Sequence, residues 1–259
     1  MNIVVCVKQV PETTANKVIG NDLRFNRAEL EPVINPFDEY ALEEALRLKE
    51  SEGGEVTVLT MGPPSAEDTM RKALAMGADK GVLVTDAALE LTDAWGTAFV
   101  LGKALAALPH DIVLTGMEST EARTGLVPGA LAQQLDLPSL TYASKLEVHD
   151  GTATIRRQAP GGYREVEADL PVLVGVVKAI NEPRYPSLKG IMAAKRKEIQ
   201  RFGLADLGIA PDQVGSAGAK ERILAAEPRP EKITGQVISG EAEQLAAQIA
   251  DFLAERKFL

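Results

Sequence analysis

The chain has 259 residues, 45% of them hydrophobic, so it can bury a full-sized core without disulfide or metal staples. A formal net charge of −9 argues against broad nucleic-acid binding, and with 4% aromatic residues and Trp95 as the one tryptophan, base-stacking platforms are not expected either. The single Cys6 excludes an internal disulfide framework and a cysteine-based zinc cluster, and it fits a reducing compartment. No stretch reaches the roughly 20 uninterrupted apolar residues of a membrane-spanning helix. The opening MNIVVCVKQV lacks the basic flank of a secretory leader, so a cytoplasmic protein without membrane insertion is expected.

Residues 3–7 read as a first strand. In DEYALEEALRLKESE, residues 38–52, Ala41, Leu42, Ala45, Leu46 and Leu48 form one stripe; Asp38 and Glu39 lie in the first turn and Gly53-Gly54 is the stop, which predicts a helix. A strand over 55–61, a helix over 65–76 stopped by Gly77, a strand over 82–85, a helix over 92–108, a strand over 112–115 and a helix over 124–135 follow. Strands alternating with helices and joined by right-handed crossovers predict an α/β fold with a doubly wound, mostly parallel sheet of Rossmann-like type.

From Leu140 the pattern changes to alternating strands, with Asp150-Gly151 as a hairpin signal and Gly161-Gly162 as a second turn, so an antiparallel section is expected to close the domain. Beyond Asn181 the chain is rich in Pro, Gly and Ala, with the basic cluster Lys195-Arg196-Lys197, and ends in a helix over 241–256 carrying Leu245, Ile249, Phe252 and Leu253 at helical spacing. This predicts a nucleotide-binding domain over 1–181, a partner-recognition loop and basic helix over 182–200, and an extended arm over 201–259 that packs either on another chain or back on its own domain.

In such a sheet a ligand sits at the carboxyl ends of strands near the switch point of strand order. The loop Gly116-Met117-Glu118-Ser119-Thr120-Glu121-Ala122-Arg123-Thr124-Gly125-Leu126-Val127 leads into a helix and carries hydroxyls, an arginine and small residues. It suits an anion held by backbone N–H groups and the helix dipole, and equally suits plain helix capping. Asn35-Pro36-Phe37-Asp38 precedes the first long helix, with Asp38 as its natural cap. Cys6, ending the first strand with no histidine or second cysteine beside it, is expected only to pack. His110 and His149 read as solvated turn residues. The dinucleotide G-x-G-x-x-G, the Walker lysine loop, the G-x-S-x-G elbow and H-E-x-x-H are all missing, which favours binding or transfer over hydrolysis. Leu188, Ile191 and Met192 beside Lys195, Arg196 and Lys197 suit docking to an acidic protein surface.

Six segments, VKQVPET, NPFDEYALEEALRLKE, TMGPP, ALAMGAD, TYAS and NEPRYPSLKGIMAAKRK, resemble in order and register the β subunits of electron-transfer flavoproteins, from Met1 to about Lys197. The resemblance implies an electron carrier subunit without catalytic residues of its own. It implies a heterodimer with an α subunit that holds most of the FAD, and an AMP buried in β against Cys6, Asn35 to Asp38, Met61 and Gly116 to Val127. It further implies that Leu188 leads a recognition loop for acyl-CoA or related dehydrogenases, with electrons passing on to a quinone-linked acceptor. The reading Glu121-Ala122-Arg123-Thr124-Gly125-Leu126-Val127 departs from the D-x-D-T-G-Q-V of many members, and its arginine is suited to phosphate. Thr141 to Ser144 resembles the AMP-containing group. Two alternatives stand beside this reading: a bifurcating subunit with a second FAD in place of AMP and with NADH as donor, and a stand-alone adenine-nucleotide hydrolase.

Overall fold

The computed structural model describes every residue except 16–17, 22, 26, 28–29, 228–234, 236 and 259. It comprises two units, Met1–Leu224 and Ala225–Leu259. In the first, β1 (Asn2–Cys6), β4 (Glu55–Met61), β5 (Lys80–Val84) and β6 (Ile112–Gly116) form the parallel heart of a sheet; β2 (Gln9–Pro11) and β3 (Pro32–Ile34) form a separate antiparallel pair. Four helices alternate with these strands: α1 (Pro36–Glu52), α2 (Ala66–Met76), α3 (Ala94–Ala106) and α4 (Val127–Leu135). The chain then runs through β7 (Ser139–His149), β8 (Thr152–Ala159), β9 (Gly162–Asp169), β10 (Val172–Val176), α5 (Leu188–Ala194), β11 (Ile199–Phe202) and the single turn α6 (Gly215–Gly218). The nine-stranded order is β11-β5-β4-β1-β6-β10-β7-β8-β9.

The central strands are mostly apolar because both faces are covered, with Thr57, Thr60 and Thr115 as buried polar exceptions. Side chains alternate across the sheet, so Ile3 and Val5 of β1 join Leu42, Leu46, Met70 and Leu74 under α1 and α2. Val4 and Cys6 face the opposite way, with Val100, Leu105 and Leu131 of α3 and α4. Neighbours of β1 were laid down in opposite directions along the chain, β4 on one side and β6 on the other. The crevice between the carboxyl ends of β1 and β6 is therefore the switch point.

Asp150 and Gly151, at φ 49° and 82°, form the tight turn between β7 and β8, and β9 completes an antiparallel meander. The antiparallel section is not the last layer, however. β10 returns to run parallel between β6 and β7. Its five residues are all buried, whereas β9 at the rim is mostly exposed. The expected break at residue 181 also moves. β11 extends the sheet parallel to β5, α5 packs on α2, and Ala194, Leu204, Ile209 and Val214 are buried, so the chain from 182 to 224 is part of the first unit.

In the second unit, α7 (Ala242–Glu255) has Ile249 and Phe252 about half exposed. Residues 228–234, 236 and 259 of the expected arm lie outside the described residues.

Candidate functional site

The crevice is stitched by two buried polar side chains at the start of α1. Asn35, 1% exposed, donates from Nδ2 to the Glu118 carbonyl at 2.9 Å and accepts the Thr120 N–H on Oδ1 at 3.1 Å, so one amide fixes the first half of the 116–127 loop on either side of Ser119. The N–H of Asn35 is itself held by the Lys8 carbonyl at 2.9 Å. Asp38 is not the expected cap, since Asn35 stands at the cap position and Asp38 lies one turn in, beneath the sheet edge. Its Oδ2 accepts the Lys8 N–H at 2.7 Å, and the Gly116 N–H also bonds to it.

Burial raises the Asp38 carboxyl from its ordinary 3.8 to about 7, against the lowering pull of its bonds from Lys8, Asn35 and Gly116. The folded state therefore holds a proton that the unfolded chain has lost between pH 3.8 and 7, and stability falls as pH rises through that window and levels off above it. Asp38→Asn removes this contribution. The difference in urea unfolding free energy between wild type and variant is expected to change in the variant's favour from pH 4 to pH 7 and to stay constant from 7.5 to 8.5; a difference independent of pH would refute the assignment.

The loop combines a capping-type bond with unsatisfied donors. Ser119 Oγ accepts the Ala122 N–H at 3.1 Å within the loop, and the Thr120 hydroxyl is buried without a partner. At the N-cap of α4 stands Leu126, which provides no side-chain cap. Among the described residues the backbone N–H groups of Thr124, Gly125 and Leu126 have no acceptor. Arg123 and Gly125 take φ values of 51° and 61°, turning the backbone ahead of the helix. Glu121, its side chain 6% exposed, pairs with Arg27 and lies 3.2 Å from Lys8 Nζ, an ion-pair contact short of a formed hydrogen bond.

Beside the loop lies a cavity of about 240 Å³ lined by Phe37, Met117, Glu118, Gly125, Tyr142, Val176, Val177 and Lys178. The first four belong to the site read from the sequence. The other four were missed, because they reach the site only when β10 inserts between β6 and β7. The TYAS stretch was the one signal pointing to Tyr142. Cys6 and Met61 end their strands at the same sheet edge but face the α3/α4 core and do not line the cavity. Burial first, and then the charge of Asp38, push the Cys6 thiol up to about 12, so it stays protonated and unreactive.

At the far sheet edge Tyr185 is 95% exposed, Leu188 84%, Met192 66% and Ile191 44%. Ser187 caps α5 through the Gly190 N–H at 3.0 Å, and Arg71 holds the Ala194 and Lys197 carbonyls at 2.7 and 2.8 Å. Lys195 and Arg196 are exposed. Lys197 differs from its expected role: its Nζ turns inward onto the Leu74 and Ala78 carbonyls at the end of α2, and burial lowers its pKa. It terminates a helix rather than facing a partner.

A family model described as "Electron transfer flavoprotein domain" matches residues 22–207. The chain is 40% identical over 265 residues to the electron transfer flavoprotein subunit beta of Mycobacterium tuberculosis, covering 100% of this chain and 99% of the relative. It is 36% identical over 257 residues to the subunit of that name from Thermoanaerobacterium thermosaccharolyticum, covering 99% of each. It is 35% identical over 262 residues, all of both chains, to the caffeyl-CoA reductase-Etf complex subunit CarD of Acetobacterium woodii. With the doubly wound sheet and its polar-stitched crevice, these likenesses settle the family: the chain belongs to the electron transfer flavoproteins, as a β subunit.

Proposed function

We propose that this β subunit binds one AMP in the crevice, pairs with an α subunit that carries the FAD, and docks acyl-CoA-type dehydrogenases in the cytoplasm, with electrons passing to a quinone-linked acceptor. The observation that carries the nucleotide is the row of unpartnered N–H groups at Thr124, Gly125 and Leu126, at the start of an uncapped helix and next to a small cavity that Gly125 itself lines. Such a helix start favours a phosphate through both its donors and its dipole, and the buried Thr120 hydroxyl is a further donor. The cavity of about 240 Å³ beside these donors offers room for part of a nucleotide. Arg123, exposed in the loop, is a candidate for the phosphate rim. The residues of the chain bind and orient; the redox chemistry is the flavin's.

The deciding experiment is to purify the chain with its α partner, denature the complex and count the nucleotides released. One FAD and one AMP are expected per heterodimer. Two FAD would move the chain to the bifurcating group, and ATP turnover by the chain without a flavin-bearing partner would make it a hydrolase.

For docking, Leu188 is the anchor, an apolar side chain presented at the first turn of α5 and flanked by Ile191, Met192, Lys195 and Arg196. Leu188→Ala is expected to leave thermal stability within about 0.5 kcal/mol of wild type and to weaken dehydrogenase binding about tenfold or more, as loss of a central apolar anchor does. Titration of the heterodimer with a medium-chain acyl-CoA dehydrogenase measures it, and unchanged affinity would remove Leu188 from the interface. By the same reading the exposed stripe of α7 belongs against the α subunit.

A further inference from the structure

Tyr142 is out of place for a residue in the middle of a strand. Between Leu140 and Ala143, β7 advances three residues while β10 advances only two, from Val174 to Val176, so β7 carries one extra residue there. Tyr142 absorbs the irregularity with φ 59°, a left-handed conformation that strains a bulky side chain. Bulges of this kind re-aim a side chain, and here the result is a ring 51% exposed that lines the 240 Å³ cavity. The strain is held from below. Met117 Sδ accepts the Tyr142 N–H at 3.4 Å, and Arg157 Nε donates to the neighbouring Thr141 carbonyl at 3.0 Å. Gly175 leaves room for that sulfur, since a Cβ there would lie 2.6 Å from Met117 Sδ. Backbone strain that neighbours maintain at the wall of a cavity calls for a role of the side chain it aims.

We infer that Tyr142 is the base-stacking residue of the site, its ring forming the aromatic wall on which the purine of the bound nucleotide lies. The inference rests on the nucleotide reading above and adds the residue that selects a planar base. The low aromatic content excluded a platform for many bases; one base needs one ring. Lys178, at the end of the 176–178 wall, is exposed and, among the described residues, forms no ion pair, which leaves it available to a ribose or phosphate oxygen at the mouth.

Tyr142→Gly separates stacking from folding, because glycine adopts the left-handed conformation freely while losing the ring. In the heterodimer stripped of nucleotide, the variant is expected to melt at or above the wild-type temperature and yet bind AMP roughly 5- to 150-fold more weakly, the range for losing one stacked base. Tyr142→Phe is expected to stay within about twofold of wild type, since the π-face remains. Ribose 5-phosphate, which lacks the base, is expected to bind wild type and Tyr142→Gly alike. AMP bound equally tightly by Tyr142→Gly, or ribose 5-phosphate lost together with AMP, would overturn the stacking role. A wild-type heterodimer that binds no AMP would instead overturn the nucleotide reading itself.

Discussion

Gly116→Ala is expected to lower the stability of the β subunit by about 3 kcal/mol, the upper end for overpacking a well-filled site, and to abolish nucleotide retention. Gly116 is the last residue of β6, and the first turn of α1 lies directly on it. A Cβ there would stand 2.6 Å from Asp38 Oδ1, 2.8 Å from the Phe37 carbonyl carbon and 2.9 Å from Phe37 Cβ. Two of these are rigid parts of the helix start, so no rotamer change relieves the contact and α1 must move. Moving it pulls on Asn35 and Asp38 together, and with them the bonds to Lys8, Glu118 and Thr120 that shape the loop. A small structural change thus propagates to every side of the crevice. Gly129→Ala is the matched control. Gly129 lies inside α4, where an added Cβ would meet nothing within 4 Å, and there alanine stabilises by up to about 1 kcal/mol through helix propensity. Thermal melts of both variants decide the matter, at about 2–4 °C per kcal/mol for a chain of this size. A Gly116→Ala protein that melts with wild type would show that α1 does not bear on β6 as described.

How far the site could be read from sequence depended on whether its parts are local. The stripe Ala41, Leu42, Ala45, Leu46 of α1 and the Asp150-Gly151 turn are decided by residues within a few positions of one another, and both formed as read. The 116–127 loop was legible because a run of small and hydroxyl residues before a helix has few physical uses. Which use it serves was not legible. The features that bear on it are non-local or negative: Leu126 rather than a hydroxyl stands at the cap of α4, and Asn35, 83 residues from Glu118, bonds to the loop. Asp38 shows the same limit: its sequence position is that of a helix cap, and only the overlying end of β6 turns it into a buried carboxyl with a raised pKa. Tyr142 owes its place to a one-residue mismatch with β10, and the position of β10 in the sheet is a property of the whole fold. Lys197 read as one of three docking cations because nothing in its own neighbourhood reveals that the end of α2 needs a donor. β11 was missed for a related reason, since four half-exposed residues acquire strand character only by pairing with β5.

If the segment around Leu188 docks a dehydrogenase as proposed, it should fail from behind as well as from its face, and Arg184→Ala is the substitution that tests this. Arg184 ties the chain just before Leu188 to α1. Its Nε and backbone N–H reach Glu43 Oε2 at 2.8 and 3.1 Å, and its terminal nitrogens reach Glu43 Oε1 at 3.0 Å and Glu50 at 2.5 and 3.1 Å. The two acids are not equivalent. Glu43 has a side chain only 4% exposed, while that of Glu50 is 59% exposed. Burial alone would raise the Glu43 carboxyl, and the bonds from Arg184 and Arg47 more than offset it, so its pKa lies below the ordinary value. Without Arg184, a buried carboxylate keeps only Arg47, 2.9 Å away. Removing one partner of a buried pair costs about 3–5 kcal/mol; because Arg184 is itself about one-third exposed and Arg47 remains, about 2–3 kcal/mol is expected here. Glu50→Ala should cost less than about 1 kcal/mol, as exposed pairs do. The Arg184–Glu43 contribution belongs to pH above the ordinary Glu value of 4.5 and fades as pH falls through the lowered folded-state pKa, so wild type and Arg184→Ala should converge in stability on acidification. Dehydrogenase affinity should fall in Arg184→Ala although no docking side chain has changed, because the Leu188 turn must then be ordered at the moment of binding. Equal losses for Arg184→Ala and Glu50→Ala in urea melts, or a dehydrogenase affinity that ignores Arg184, would mean that the proposed docking segment is held by α2 alone.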